Sequence, residues 1–124
     1  MSPVPLIRKQ GDTWRWQVAW YAPIPGSNPP KPDYTNPVDL TGWTAKVQLK
    51  QSYEDTTPAL ALTSSPAAGC TIDGPNGLVS IVASFTLTSA ITPGRYLWEC
   101  EVTNGTERET IGEGPIQVTQ QVIT

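Results

Sequence analysis

The sequence contains no histidine, and only 15% of its 124 residues are charged. Without an imidazole there is no Ser-His or Cys-His nucleophile pair, no histidine zinc ligand and no histidine switch near neutral pH. The scarcity of Lys, Glu and Arg, together with 13 prolines, excludes a bundle of long solvent-facing helices. Eight basic side chains against 11 acidic ones leave a net charge of −3 and a pI of about 4.7. A nucleic-acid partner held through its phosphates is therefore excluded as well. No apolar run approaches the roughly 18 residues of a membrane-spanning helix. The opening Met1-Ser2-Pro3-Val4-Pro5 lacks the basic and apolar regions of a secretion signal. The chain is thus expected to begin near Met1, to fold in cytosol and to have no membrane partner. Its length is that of a single domain, 1–124, and a chain of this size takes about two-thirds of its extended surface out of water. These exclusions favour a binding or structural module over an enzyme.

What the chain does have is period-two alternation. Trp14, Trp16, Val18 and Trp20 share one face of a strand expected over Thr13–Tyr21, with Arg15, Gln17, Ala19 and Tyr21 on the other. The Gly11-Asp12 turn separates it from an extended piece at Val4–Arg8. Ala45, Val47 and Leu49 mark a strand within Trp43–Gln51, and Ala59–Leu62 and Cys70–Asp73 read as short strands. Val79, Ile81, Ala83 and Phe85 are expected in register along Leu78–Phe85, followed by a connection over Thr86–Pro93 with room for one helical turn. In Arg95–Thr103, Tyr96, Trp98, Cys100 and Val102 point inward while Glu99 and Glu101 point outward. Gly74-Pro75-Asn76-Gly77 and Asn104-Gly105 are hairpin turns. Glu107–Ile111 and Pro115–Val122 read as two strands broken at Gly112-Glu113-Gly114. Prolines 23, 25, 29, 30, 32 and 37 predict that 22–38 is an exposed, partly polyproline-like loop with no ladder strand. Short strands at this spacing predict an all-β chain, specifically an immunoglobulin-like antiparallel β-sandwich of about 7–9 strands.

The candidate sites each have two readings. Trp14, Trp16 and Trp20 either line the core or form a stacking platform for sugar rings or bases, with Trp14 at an edge that a partner could cover. Cys70 and Cys100 have no Cys-x-x-Cys spacing and no histidine, so they make a poor metal site. The alternation around Cys100 reads as a buried free thiol, and a disulfide across the core is the alternative. Glu99 and Glu101 share a strand face, the nearest approach to a hydrolytic carboxylate pair. They point away from the apolar set, and Glu107, Glu109 and Glu113 extend the same acidic surface, so a solvated face is expected. Set against Arg8, Arg15, Lys46 and Lys50, these charges would orient a docking partner. Asp12, Asp33, Asp39, Asp55 and Asp73 are too scattered for a calcium loop. No metal or cofactor is expected.

Three segments carry a likeness. Gly11-Asp12-Thr13 leads the first strand, and Pro37-Val38-Asp39-Leu40-Thr41-Gly42-Trp43-Thr44-Ala45 contains an Asp-Leu-Thr-Gly turn opening another. Gly94-Arg95-Tyr96-Leu97-Trp98-Glu99-Cys100-Glu101-Val102 and Gly114-Pro115-Ile116-Gln117-Val118 follow the Gly74–Gly77 hairpin. In this scheme the chain resembles the N-terminal β-sandwich domain of baseplate upper proteins of tailed bacteriophages, and short stand-alone phage virion proteins of that pattern. The proline-rich insertion is longer than the scheme has. No coiled-coil or receptor-binding pattern follows the last strand, so assembly within the particle is expected rather than reach to a host receptor.

The resemblance implies a non-enzymatic virion protein made in the host cytoplasm. It would be present in several copies or as a homo-oligomer, at a tail, baseplate or neck or as a capsid decoration, bound to other phage structural proteins. Its expected contact residues are Trp14, Tyr21, Pro29, Pro30, Tyr34 and Tyr53, and an exposed sheet edge would be free to accept a partner's strand. The alternative is a carbohydrate-binding module that attaches the virion to host-surface glycans.

Overall fold

The alternating segments pair into two sheets and a small ribbon in a computed structural model that describes residues 6–122. The larger sheet contains β1 (Leu6–Lys9), β5 (Thr44–Lys50), β6 (Leu60–Thr63), β9 (Gly94–Thr103) and β10 (Arg108–Thr119), in the order β1-β10-β9-β5-β6. The smaller has the order β2-β8-β7, from β2 (Trp14–Ala19), β7 (Cys70–Asp73) and β8 (Leu78–Ala83). β3 (Tyr21–Pro23) and β4 (Pro32–Pro37) form the ribbon, and α1 (Phe85–Thr88) is a single helical turn. β1 runs parallel to β10, while the other strand pairs are antiparallel.

The inward rows of both sheets share one core. Ala45, Val47 and Leu49 of β5, Cys100 and Val102 of β9, and Ile116 and Val118 of β10 meet Trp14, Val18, Val79 and Ile81 of the smaller sheet. Each large apolar side chain so buried contributes about 1.5–3 kcal/mol. Thr88, fully buried, donates its hydroxyl to Asp12 O (2.7 Å) and so pins α1 to the β1–β2 turn. The all-β, sandwich-like character expected from the alternation is therefore present.

Several boundaries differ from the expectation, each for a local reason. The strand over Thr13–Tyr21 ends at Ala19, because Trp20 N donates to Gly77 O (2.9 Å) while Trp20 O accepts from Val38 N (2.9 Å). The chain thereby passes from the smaller sheet into the ribbon. Segment 22–38 is not strand-free: Tyr21 pairs with Pro37 and Pro23 with Pro32. A two-stranded ribbon has no inner strand, so its prolines fall where no ladder N–H is needed. Phe85 leaves the inward register and opens α1, 63% exposed, because β2 begins opposite Ala83 and offers no partner beyond it. Arg108–Thr119 is one bulged strand rather than two. Of the extended piece expected at Val4–Arg8, Leu6–Arg8 fall in β1, while Val4 and Pro5 lie outside the described residues.

Of the glycines that suggested a break in β10, Gly112 makes room instead. Gly112 faces Cys100 and Gly114 faces Trp98 in the ladder. A Cβ on Gly112 would lie 2.8 Å from Val18 Cγ1 and 3.0 Å from Trp98 Cη2. Cys70 and Cys100 are free, buried thiols on facing sheets. Burial pushes the Cys70 thiol up to about 11. Burial, with the charges of Cys70 and Glu101 adding to it, pushes Cys100 up to about 12.

Candidate docking surface

The ribbon stands on a base fixed by two turns. Asp39 Oδ1 accepts from Thr41 N (2.9 Å) and Thr41 Oγ1 (2.6 Å). The hydroxyl bond first, and the amide bond second, hold the Asp39 carboxyl below the ordinary carboxylate range. Gly42 closes this turn at φ +85°, a conformation that side chains disfavour. Leu40, fully buried, donates its N–H to Gly74 O (2.8 Å). The Gly-Pro-Asn-Gly hairpin lies so close that a Cβ on Gly74 would sit 2.5 Å from Thr41 Oγ1, and one on Gly77 2.5 Å from Val38 O. Trp20 packs edge-on against Trp43, centroids 5.7 Å apart, across the same base.

Beyond this base the ribbon holds its own shape. At its tip Ser27 Oγ donates to Ile24 O (2.7 Å) and accepts from Lys31 N (3.1 Å), while Ile24 N donates to Lys31 O (2.8 Å). In β4, Asp33 Oδ1 accepts from Thr35 Oγ1 (2.6 Å) and Thr35 N (3.1 Å). The register shifts across this stretch, which bulges the strand. Tyr34, 73% exposed, stacks edge to face on the half-buried Tyr21. Pro23, Pro32 and Pro37 have no N–H, and that of Thr35 is taken by Asp33. The ribbon's edges are therefore poor templates for an added strand, and it presents side-chain faces instead.

The structure brings Tyr21, Tyr34, Pro29 and Pro30 together on this one ribbon, with both prolines exposed near its tip. Tyr53 is also exposed, but it lies in the β5–β6 connection beside Lys50, Leu97 and Glu99, at the other end of the larger sheet. Trp14 is a correction: it is fully buried, and its Nε1 donates to Lys9 O (2.7 Å), so it is no surface anchor. Once β1 supplies an acceptor for that N–H, the whole indole is free to enter the core. The other tryptophans are half-buried in pairs, Trp16 with Trp98 (5.8 Å) and Trp20 with Trp43. They form no open stacking platform.

Glu99 and Glu101 lie on the outer face of the larger sheet. Glu101 Oε1 pairs with Arg108 Nε at 3.6 Å and stands opposite Lys46, whereas Glu99 Oε1 accepts from Thr110 Oγ1 at 3.5 Å. Sequence reasoning missed the exposed Ile24, Phe85 and Leu87. The missing partner strand beyond Ala83, which exposes Phe85, leaves no trace in the local pattern. No protein-family model matches the chain, and none of the curated proteins matches it in sequence.

Proposed function

We propose that this chain is a non-enzymatic structural protein of a tailed-phage virion, in its tail, baseplate or neck or as a capsid decoration, binding neighbouring structural proteins. The observation that carries this reading is the β3–β4 ribbon, a self-tied projection offering Tyr34 to solvent. A loop already held by its own hydrogen bonds loses little entropy on docking, and an exposed aromatic ring supplies contact area. The charges around Lys46, Glu101 and Arg108 would orient the partner.

We take the fold to be an immunoglobulin-like sandwich. The order β1-β10-β9-β5-β6 facing β2-β8-β7 supports this, since it matches an enlarged G-F-C sheet over a B-E-D sheet. Tyr96 Oη donates to Thr92 O (2.6 Å), as in the tyrosine corner of such domains. In that scheme the ribbon occupies the B–C connection, which carries recognition in antibody variable domains, an analogy at the level of fold alone.

Immunogold labelling of gradient-purified particles of the phage encoding this sequence tests the function. Label at one defined site on each virion is expected, and absence of the chain from purified particles overturns the reading. Specific binding on a glycan array that is lost in Tyr34→Ala would favour attachment to host glycans instead.

A further inference from the structure

The asparagines of the chain are Asn28, Asn36, Asn76 and Asn104. Asn28 and Asn36 precede prolines, whose nitrogens carry no hydrogen to lose. Asn76 and Asn104 precede Gly77 and Gly105, each in a hairpin turn with the glycine at positive φ. The two turns differ in what surrounds the side-chain amide. Asn76 Nδ2 donates to Asp73 Oδ2 (2.9 Å), and Asn76 Oδ1 has no donor among the described residues. Gly77 is fixed: its N–H donates to Gly74 O (3.0 Å) and its C=O accepts from Trp20 N (2.9 Å). Asn104 Oδ1 instead accepts three bonds, from Glu107 N (2.7 Å), Thr106 N (3.0 Å) and Thr106 Oγ1 (3.0 Å). Gly105 N donates to Thr103 Oγ1 (3.2 Å), and no atom lies within 4 Å of where a Gly105 Cβ would stand.

We infer that Asn104-Gly105 is a self-modifying site, at which the backbone nitrogen of Gly105 displaces the side-chain amide of Asn104 as ammonia. Gly105 N gives its proton to hydroxide and forms a bond to Asn104 Cγ. The negative charge that develops on Oδ1 falls among three donors already directed at it, so the turn acts as a small oxyanion hole. Nδ2 then takes a proton from water and leaves, closing a five-membered succinimide. Water opens that ring to aspartate or, with one more CH₂ in the main chain, to isoaspartate. At Asn76 the Asp73 carboxylate beside the amide and the fixed Gly77 oppose the same step. The product places a carboxylate in a hairpin that already carries Glu107 and Glu109. As aspartate it would keep the bonds from Thr106, as Asp33 and Asp39 keep theirs from Thr35 and Thr41. None of this depends on where in a particle the chain resides.

Incubation of the full chain at mildly alkaline pH, followed by mass spectrometry of its proteolytic peptides, tests this. Asn104 is expected to convert from amide to acid at least about tenfold faster than Asn76 in the folded chain. Thr106→Ala, which removes the hydroxyl donor, is expected to slow Asn104 by roughly threefold or more, a fraction of what one donor supplies in a buried oxyanion site. Thr106→Ser keeps a hydroxyl and is expected to retain the wild-type rate. Residue 106 is exposed, and an unchanged thermal melt verifies that each variant folds. In urea, with both turns lost, the rates at Asn104 and Asn76 are expected to converge. Equal rates in the folded chain, faster conversion at Asn76, an unchanged or increased rate in Thr106→Ala, or a tenfold gap persisting in urea would each overturn the assignment.

Discussion

Tyr21 and Tyr34 meet edge to face with ring centroids 5.1 Å apart and planes at 71°, outside the core and on the projecting ribbon. Such a pair adds only about 0.5–1.5 kcal/mol beyond its buried area. Tyr34→Ala is accordingly expected to lower unfolding free energy by less than about 1.5 kcal/mol. Trp14→Ala, at a fully buried site, is expected to cost about 3–5 kcal/mol. Urea denaturation of the two variants checks the contrast.

Gly112 is expected to resist enlargement although its strand is partly exposed. A valine there meets Val18 and the Trp98 ring, and overpacking of this kind costs about 1–3 kcal/mol. A blue- or red-shifted tryptophan emission together with a lowered urea midpoint in Gly112→Val is the expected signature. An unchanged midpoint would mean that the bulge yields.

The two thiols predict an alkaline dependence of stability. Their folded pKa values, about 11 for Cys70 and about 12 for Cys100, lie above the ordinary 9.0. Between pH 9 and 12 the unfolded chain therefore binds fewer protons than the folded one, and stability falls as pH rises through that window. A Cys70→Ala/Cys100→Ala variant, though less stable overall, is expected to show a flatter decline in denaturation series from pH 8 upward. At pH 7 the native thiols are expected to react with Ellman's reagent only at the rate of unfolding.

Asp33 and Asp39 predict an acid dependence of opposite sign. Hydrogen bonds from Thr35 and Thr41, the hydroxyl bond first in each case, hold both carboxyls below 3.8. Their contribution is present above pH 3.8 and is lost as pH falls through the lowered folded value. Asp39→Ala is expected to reduce the melting temperature at pH 7 and to weaken the acid dependence. Thermal melts between pH 2 and 7 measure both effects.

Alternation made the strands legible wherever one face is buried: β5, β8 and β9 follow from Val47, Ile81 and Cys100 with their neighbours two residues away. The Asp39–Gly42 turn was legible too, because its chemistry is local. What escaped depends on distant chain. Prolines 23, 32 and 37 argued against strands, but a ribbon with two open edges has room for residues without an N–H. Gly112 and Gly114 read as a break, yet both pair within one ladder, and the space at Gly112 is taken by Val18 and the Trp98 ring. Trp14 read as an edge residue because its hydrogen-bond acceptor, Lys9 O, becomes available only when β1 folds beside it. Of the residues proposed to dock, Tyr34 and the prolines of 22–38 marked the ribbon, whereas Tyr53 lies at the opposite end of the larger sheet; the exposed Ile24 gave no signal of its own.

The central claim is that the ribbon holds this chain among its neighbours in the particle. A cryo-electron-microscopy reconstruction of the virion tests it most directly. The account predicts density for several copies of the sandwich with residues 21–37 buried against an adjacent chain. Particles lacking the protein, or copies whose ribbons all stand free in solvent, would contradict it.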